Sequence, residues 1–560
     1  MSAPVKKWFK VIKIGLSISL VIVAVASLIG YRWYLDNFVT KTIPSMVLRT
    51  VSPNDVDTSL VVSTANGDVA GTRHDSGVIE FTSIPYGCPP VGELRFSAPQ
   101  PAKDWDGVLD TSFIGPRCMQ QDEVFLGTWG NGQSEDCLWL SVTAPNLESQ
   151  KLPVIVWVHG GGLHGGGAGE ETYNAVNLVE RGGVIEVNVQ YRLGTFGWLD
   201  LSHLDEESLD ESGLNGIKDV VLALEWVQEN IANFGGDPDN VTISGESAGS
   251  YIIASLLTTP EAEPLFAKAV LMSGVLTPRN TPFTKEEVAT RFLEYLGAST
   301  LDDLRAASTE ELLDAQIELI NYAESLGFAD LMPLIEMPQL SRDELRRAGM
   351  SKKPILHGTT RNEYSFFTFF VDDVPGKEQK LAFDFMGSGS GLTNEQIVSL
   401  CTFIKDANPG MSEEEAYLEL LTAAYMFHPH RVLWEEYSKG GAPVYQYLFS
   451  QTTELYPELG AFHALDLSYF FNNLDIGNTR DYIVGENAPQ QVADDMTDAF
   501  VSFARSGKPK IEGLQNWPQY SDTERAVVEF ALPSKLISDP FPWLDEFGEK
   551  MDSFLAVNRN

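Results

Sequence analysis

Val241-Thr242-Ile243-Ser244-Gly245-Glu246-Ser247-Ala248-Gly249-Ser250-Tyr251 is the stretch on which the fold of this 560-residue chain turns. Val241–Ile243 is a short β-branched run that reads as a strand, and Tyr251–Leu257 has a helix-like apolar content. Between them, Gly245 and Gly249 flank Ser247 at two-residue spacing. A turn this tight has no room for side chains near the serine. The serine then stands exposed at the top of a sheet and at a helix N-terminus, the setting a nucleophile elbow requires. The motif alone is weak, and the strand before it and the helix after it supply the context.

Working outward, the chain alternates between the two periods. Val154–His159 and Val184–Tyr191 are continuous apolar runs of the buried-strand kind. Ala267–Met272, Pro354–Leu356 and Val444–Phe449 are further strand candidates, and Leu60–Val69 and Val78–Phe81 alternate around the turn-forming Asn66-Gly67. From Gly216 to Ile231 the apolar residues fall at helical spacing. Strands alternating with helices predict an α/β class: a central, mostly parallel sheet flanked by helices. The acidic stretch 283–350 reads as a helical insertion beside that sheet.

His159-Gly160-Gly161-Gly162 closes the Val154–Val158 run. Acyl transfer builds negative charge on a carbonyl oxygen, and glycines let backbone N–H groups approach it closely. A serine nucleophile also needs a base, and the base needs an orienting acid. Of the eight histidines, His463 comes late, in a loop after the last core strand candidate. His428 and His430 flank Pro429 and read as a loop. Glu363 follows the Pro354–Leu356 strand by a short polar loop, so the chain order is serine, acid, histidine, the α/β-hydrolase order. Composition does not single out Glu363 among 78 acidic residues.

From about residue 60 to 520 the chain resembles the type-B carboxylesterase/lipase family, which includes the cholinesterases. Phe234-Gly235-Gly236-Asp237-Pro238 leading into Gly245–Gly249 matches the family's serine signature, and Glu135-Asp136-Cys137-Leu138 its second signature. Tyr86, Pro89–Gly92, Arg95-Phe96, Tyr191–Gly194, Phe503–Gly507 and Trp517-Pro518 agree as well. The resemblance implies the α/β-hydrolase fold with Ser247 as nucleophile, Glu363 as acid and His463 as base. It implies an oxyanion hole from the N–H groups of Gly161, Gly162 and Ala248, with Glu246 and Asp466 as supporting carboxylates. It also implies a disulfide between Cys118 and Cys137, the pair nearest in sequence of the four cysteines. Leu163, where the family often has Phe, and Ala464, where Gly is common, depart from it beside the substrate site. The implied activity is cleavage of carboxylic esters through an acyl-enzyme, with no metal or organic cofactor. A lipase acting on longer acyl chains and a non-catalytic interaction protein of the same fold are the alternatives.

The formal charge of −39 repels nucleic acid and anionic headgroups, which argues against a nucleic-acid partner. Lys6, Lys7, Lys10 and Lys13 precede an uncharged run from Ile14 to Tyr31, and Arg32, Trp33 and Tyr34 follow it. That run is long enough to span a bilayer core, and the lysines would stay in the cytoplasm. The chain thus divides into a cytoplasmic tip and single membrane anchor over 1–34, a linker over 35–58, and a hydrolase domain over 59–560. A cleaved signal peptide ending near Ala24-Val25-Ala26 is the competing reading. Either one exports the body of the protein to the periplasmic or extracellular side.

Overall fold

Among the described residues, eleven strands join into one sheet. In chain order they are β1 (Thr72–Arg73), β2 (Ile79–Pro85), β3 (Trp139–Ala144), β4 (Leu152–Val158), β5 (Ile185–Val189), β6 (Gly236–Glu246), β7 (Lys268–Met272), β8 (Ile355–Thr360), β9 (Val444–Phe449), β10 (Ala526–Phe530) and β11 (Lys535–Ser538). Across the sheet they lie in the order β11-β10-β9-β8-β7-β6-β4-β5-β3-β2-β1. From β5 to β10 every neighbouring pair is parallel. The outer pairs on both edges are antiparallel. The computed structural model describes residue 46, residues 49–51 and residues 56–558, apart from 122–131, 205–206, 275–282, 326–341, 371–373, 389 and 515. The proposed anchor over 1–34 and nearly all of the linker over 35–58 lie outside the described residues. Among the described residues, no helix is long and apolar enough to cross a membrane.

The parallel strands read as unbroken apolar runs because both of their faces are covered. In β4, Val154, Val156 and Val158 enter one core cluster, while Ile155 and Trp157 enter another. The first face packs against helix α1 (Asn215–Asn230) through Ile217, Val220, Leu224 and Val227, the residues whose spacing predicted that helix. The second packs against the later helix Gln490–Ser506 through Val492, Met496, Phe500 and Phe503. There Trp157 lies against Phe470 and Phe471, with ring centroids 5.3 and 5.0 Å apart.

Residues 283–350 are helical where described, as expected: Lys285–Leu296, Leu301–Ala306, Thr309–Ser325 and Arg342–Gly349. A second helical region between β8 and β9 gathers its own core around Leu381, Ile397, Leu400, Leu420 and Phe427. The loop expected at His428-Pro429-His430 is corrected: these residues lie in the helix His428–Lys439, which continues without a break from the wider turn Ala423–Phe427. Proline cannot donate to the helical ladder, and the wide turn just before it takes up the missing bond.

Several motif residues brace the sheet. Arg192 and Asp219 form a two-pronged ion pair with side chains 3% and 0% exposed. Arg95 grips Glu135 at 2.6 Å and caps the carbonyls of Leu304 and Ala307, tying the helical insertion to the body. Cys118 and Cys137 are joined, with Cα atoms 5.1 Å apart. Cys88 and Cys401 are buried and unbridged.

Candidate active site

Ser247 stands between β6 and helix α2 (Ala248–Leu256), with φ 52° and ψ −119°. A non-glycine residue in this region carries about 1–3 kcal/mol of strain. The surrounding structure holds it there: the Ser247 N–H donates to the Met272 carbonyl at 2.9 Å, and the Ser247 carbonyl accepts from Tyr251 at 3.1 Å. The flanking glycines are required by contact. A Cβ on Gly245 would lie 2.7 Å from the Val158 carbonyl oxygen, and one on Gly249 would collide with that same oxygen. Because the obstacle is backbone, Gly249→Ala is expected to cost about 3 kcal/mol, at the upper end for overpacking. A thermal melt by circular dichroism measures it; an unchanged midpoint would contradict the packing argument.

The glycine run after β4 lies directly against this elbow. A Cβ on Gly160 would be 2.7 Å from Glu246 Oε2 and 3.2 Å from Ser247 Cβ. Gly161 and Gly162 have φ 102° and 63°, left-handed values that favour glycine. Among the described residues, the N–H groups of Gly161, Gly162 and Ala248 donate to no protein acceptor. Unspent amides beside a nucleophile elbow are what a developing negative charge would call on.

Two loops bring the acid and the imidazole together. Glu363 follows the carboxyl end of β8, and His463 comes after β9. The Asn362 N–H donates to the Ala461 carbonyl at 2.8 Å, and Asn362 Oδ1 accepts from the Ala461 N–H at 3.1 Å. Ser365 Oγ donates to the Leu459 carbonyl at 2.6 Å. With the loops clamped this way, His463 Nδ1 lies 2.6 Å from Glu363 Oε2. Glu363 Oε1 accepts from the Thr360 N–H at 2.8 Å, and its side chain is fully buried.

Glu246, next to Ser247, places Oε1 3.1 Å from His463 Nε2. That oxygen accepts no hydrogen bond, so the contact is Coulombic and the N–H direction of Nε2 is aimed elsewhere. Asp466 accepts from the Tyr447 hydroxyl at 2.9 Å. Burial disfavours a charged imidazole at His463, but the carboxylates of Glu246, Glu363 and Asp466 outweigh it and hold its pKa above the usual value. Burial pushes Glu246 and Asp466 above the usual carboxylate range, against the attraction of His463.

A base must be neutral to accept a proton, so the acid limb of kcat/KM should lie above about 6.5, the unperturbed histidine value. Glu246→Gln removes a charge that favours the imidazolium. The histidine pKa then falls, and the acid limb should move to lower pH. A pH profile of kcat/KM for the two proteins tests the sign; an upward move would contradict it.

Some residues around the site carry no sequence signal of their own. Phe366 and Phe367 bring their rings to within 6.2 and 5.6 Å of the His463 ring. The aromatic run after Glu363 was the available hint. Tyr191 donates to the His159 carbonyl at 2.8 Å and so helps position the start of the glycine loop. Glu170, near Glu246, is pushed up to about 8 by burial, with Arg117 opposing.

A largely parallel sheet with a glycine-flanked serine at the carboxyl end of a central strand is the α/β-hydrolase fold, and the class is that of the serine hydrolases. Residues 58–541 match the carboxylesterase family, and the chain belongs to it. It is 35% identical over 495 residues to the para-nitrobenzyl esterase of Bacillus subtilis (strain 168), covering 86% of this chain and 97% of that protein. Over 513 residues it is 31% identical to the liver carboxylesterase of Sus scrofa, covering 83% and 88%. A solved carboxylesterase from Geobacillus stearothermophilus superposes with a TM-score of 0.74 at 33% identity, over 87% of this chain and 99% of that one. The protein is a carboxylic ester hydrolase of the serine type.

Proposed function

We propose that Ser247, Glu363 and His463 form the catalytic triad and that the enzyme turns over carboxylic esters in two half-reactions. His463 takes the Ser247 proton as Oγ attacks the ester carbonyl. The N–H groups of Gly161, Gly162 and Ala248 hold the oxyanion. The alcohol leaves with the proton from His463, and water, activated by the same imidazole, releases the acid and regenerates Ser247. Glu363 keeps the Nδ1–H tautomer and offsets the charge that forms on the ring. Glu246 and Asp466 favour that same charge from the sides.

The observation that carries this reading is the 2.6 Å bond between Glu363 and His463, residues 100 positions apart, beside the serine elbow. Covalent labelling with a fluorophosphonate probe tests it. The label should map to Ser247 by peptide mass spectrometry, and folded protein that takes no label would sink the proposal.

The basic cluster Lys6–Lys13 and the uncharged run Ile14–Tyr31 support an N-terminal membrane anchor, with residues 35–58 as tether and 59–560 on the non-cytoplasmic side. Full-length protein should then stay with membranes through a high-salt, alkaline wash. Recovery in the soluble fraction with a new N-terminus after Ala26 would overturn the anchor in favour of a cleaved signal.

A further inference from the structure

The catalytic loops occupy the carboxyl edge of the sheet. At the amino edge, Tyr445 sits at the start of β9, and the segment after the helix Gln490–Ser506 folds across it. Between them is a cavity of about 380 Å³. Lys508 and Lys510 line it, and among the described residues no carboxylate does. Ile511 and Leu514 form apolar wall, and Tyr445 and Trp517 complete the lining. One strand length, roughly 17 Å, separates this edge from the catalytic one, so an occupant would not touch Ser247.

Three features mark this cavity as a built site. First, both lysines are exposed, and neither has an ion-pair partner among the described residues. Cations are outnumbered by carboxylates 39 to 78 in this chain, so two uncompensated ammonium groups on one acid-free cavity stand out. Second, Trp517 is 7% exposed and its indole N–H has no hydrogen-bond partner. Third, the lysine backbone is fixed in advance. The Lys510 N–H donates to Ser502 Oγ at 2.7 Å, and Ser506 Oγ donates to the Lys508 carbonyl at 3.4 Å. Such preorganisation lowers the cost of binding.

A mainly polar and cationic lining with a few apolar side chains suits a small anion that carries a modest apolar body. We infer that this cavity binds a small organic carboxylate, its charge facing Lys508 and Lys510 and its apolar body against Ile511, Leu514 and Trp517. Ester cleavage releases a carboxylic acid, so the enzyme itself supplies anions of this class. The cavity is a product-class site remote from the reacting serine.

Isothermal titration of the full-length enzyme with benzoate, benzamide and phenyl phosphate tests the inference. Benzoate should bind, weaken at least tenfold in the Lys508→Gln/Lys510→Gln double variant, and keep its affinity in Lys508→Arg/Lys510→Arg. Raising the salt concentration should weaken it, and benzamide, of the same shape without charge, should not bind. Ester turnover should be equal in all three proteins, which shows that they are folded. Binding of benzoate in the catalytic cleft would appear as competitive inhibition common to all variants, so the variant-dependent part alone bears on the cavity. Equal benzoate affinity in the glutamine variant, no binding at all, or binding of benzamide would overturn the site. Tighter binding of phenyl phosphate than of benzoate would overturn the assignment to carboxylates.

Discussion

Ser247→Ala is expected to lower kcat for an aryl acetate by about a millionfold, the scale seen when a serine nucleophile is removed from such a triad. The loss is this large because the acyl-enzyme route disappears. The amide cup and substrate binding remain, and they support only a residual rate above the uncatalysed one. The fold should survive. Alanine has the same backbone preferences at φ 52°, and the bonds that hold the elbow, from the Ser247 N–H to Met272 and from Tyr251 to the Ser247 carbonyl, are main-chain bonds. The measurement pairs initial rates with a thermal melt. A kcat within tenfold of the wild type, in a protein with an unchanged melt, would remove Ser247 from the chemistry.

Glu363→Gln should cost about four orders of magnitude in kcat, comparable to an aspartate-to-asparagine change in a serine protease triad. Both carboxylate oxygens accept: Oε1 from the Thr360 N–H at 2.8 Å and Oε2 from His463 Nδ1 at 2.6 Å. A glutamine has one acceptor and one donor. If its oxygen faces Thr360, its NH₂ faces Nδ1, which must then be the bare nitrogen. The proton moves to Nε2, the atom that has to receive the serine proton, and the base is blocked. The reverse orientation leaves two donors facing each other in a fully buried pocket, at a cost of about 1–3 kcal/mol. The imidazolium also loses a neighbouring charge in either case. KM should change little, because Glu363 does not face the substrate; a loss confined to KM would contradict the role.

The elbow was legible in the sequence because everything that makes it is local: a β-branched run, glycines at two-residue spacing, and a helix-like apolar stretch over Tyr251–Leu257. The apolar runs of β4, β5, β7 and β9, and the helical spacing of α1, were legible for the same reason. Glu363 was not: nothing local separates it from the other acidic residues, and it was selected through the family resemblance. Strand β3, buried along its whole length, and strand β10 went unnoticed, as did the helices between β8 and β9. Their burial comes from distant partners rather than from a local period. His428-Pro429-His430 misled for a related reason, since a proline carried within a continuous helix, just after the wide turn Ala423–Phe427, looks like a loop marker when no neighbouring packing is visible.

By itself, then, the order of residues determined the backbone conformations that depend on near neighbours: the strained serine turn, the glycine loop after β4, and the alternation of strands and helices. Tertiary structure decided what depends on strand order and register. It set Gly160 against the Ser247 side chain, clamped Asn362 to Ala461 so that Glu363 meets His463, and left the amides of Gly161, Gly162 and Ala248 without acceptors among the described residues. It also crowded Glu246 and Asp466 around one imidazole, raising its proton affinity against burial. Charge interactions and close contacts act through space, so their partners appear only once the chain has folded.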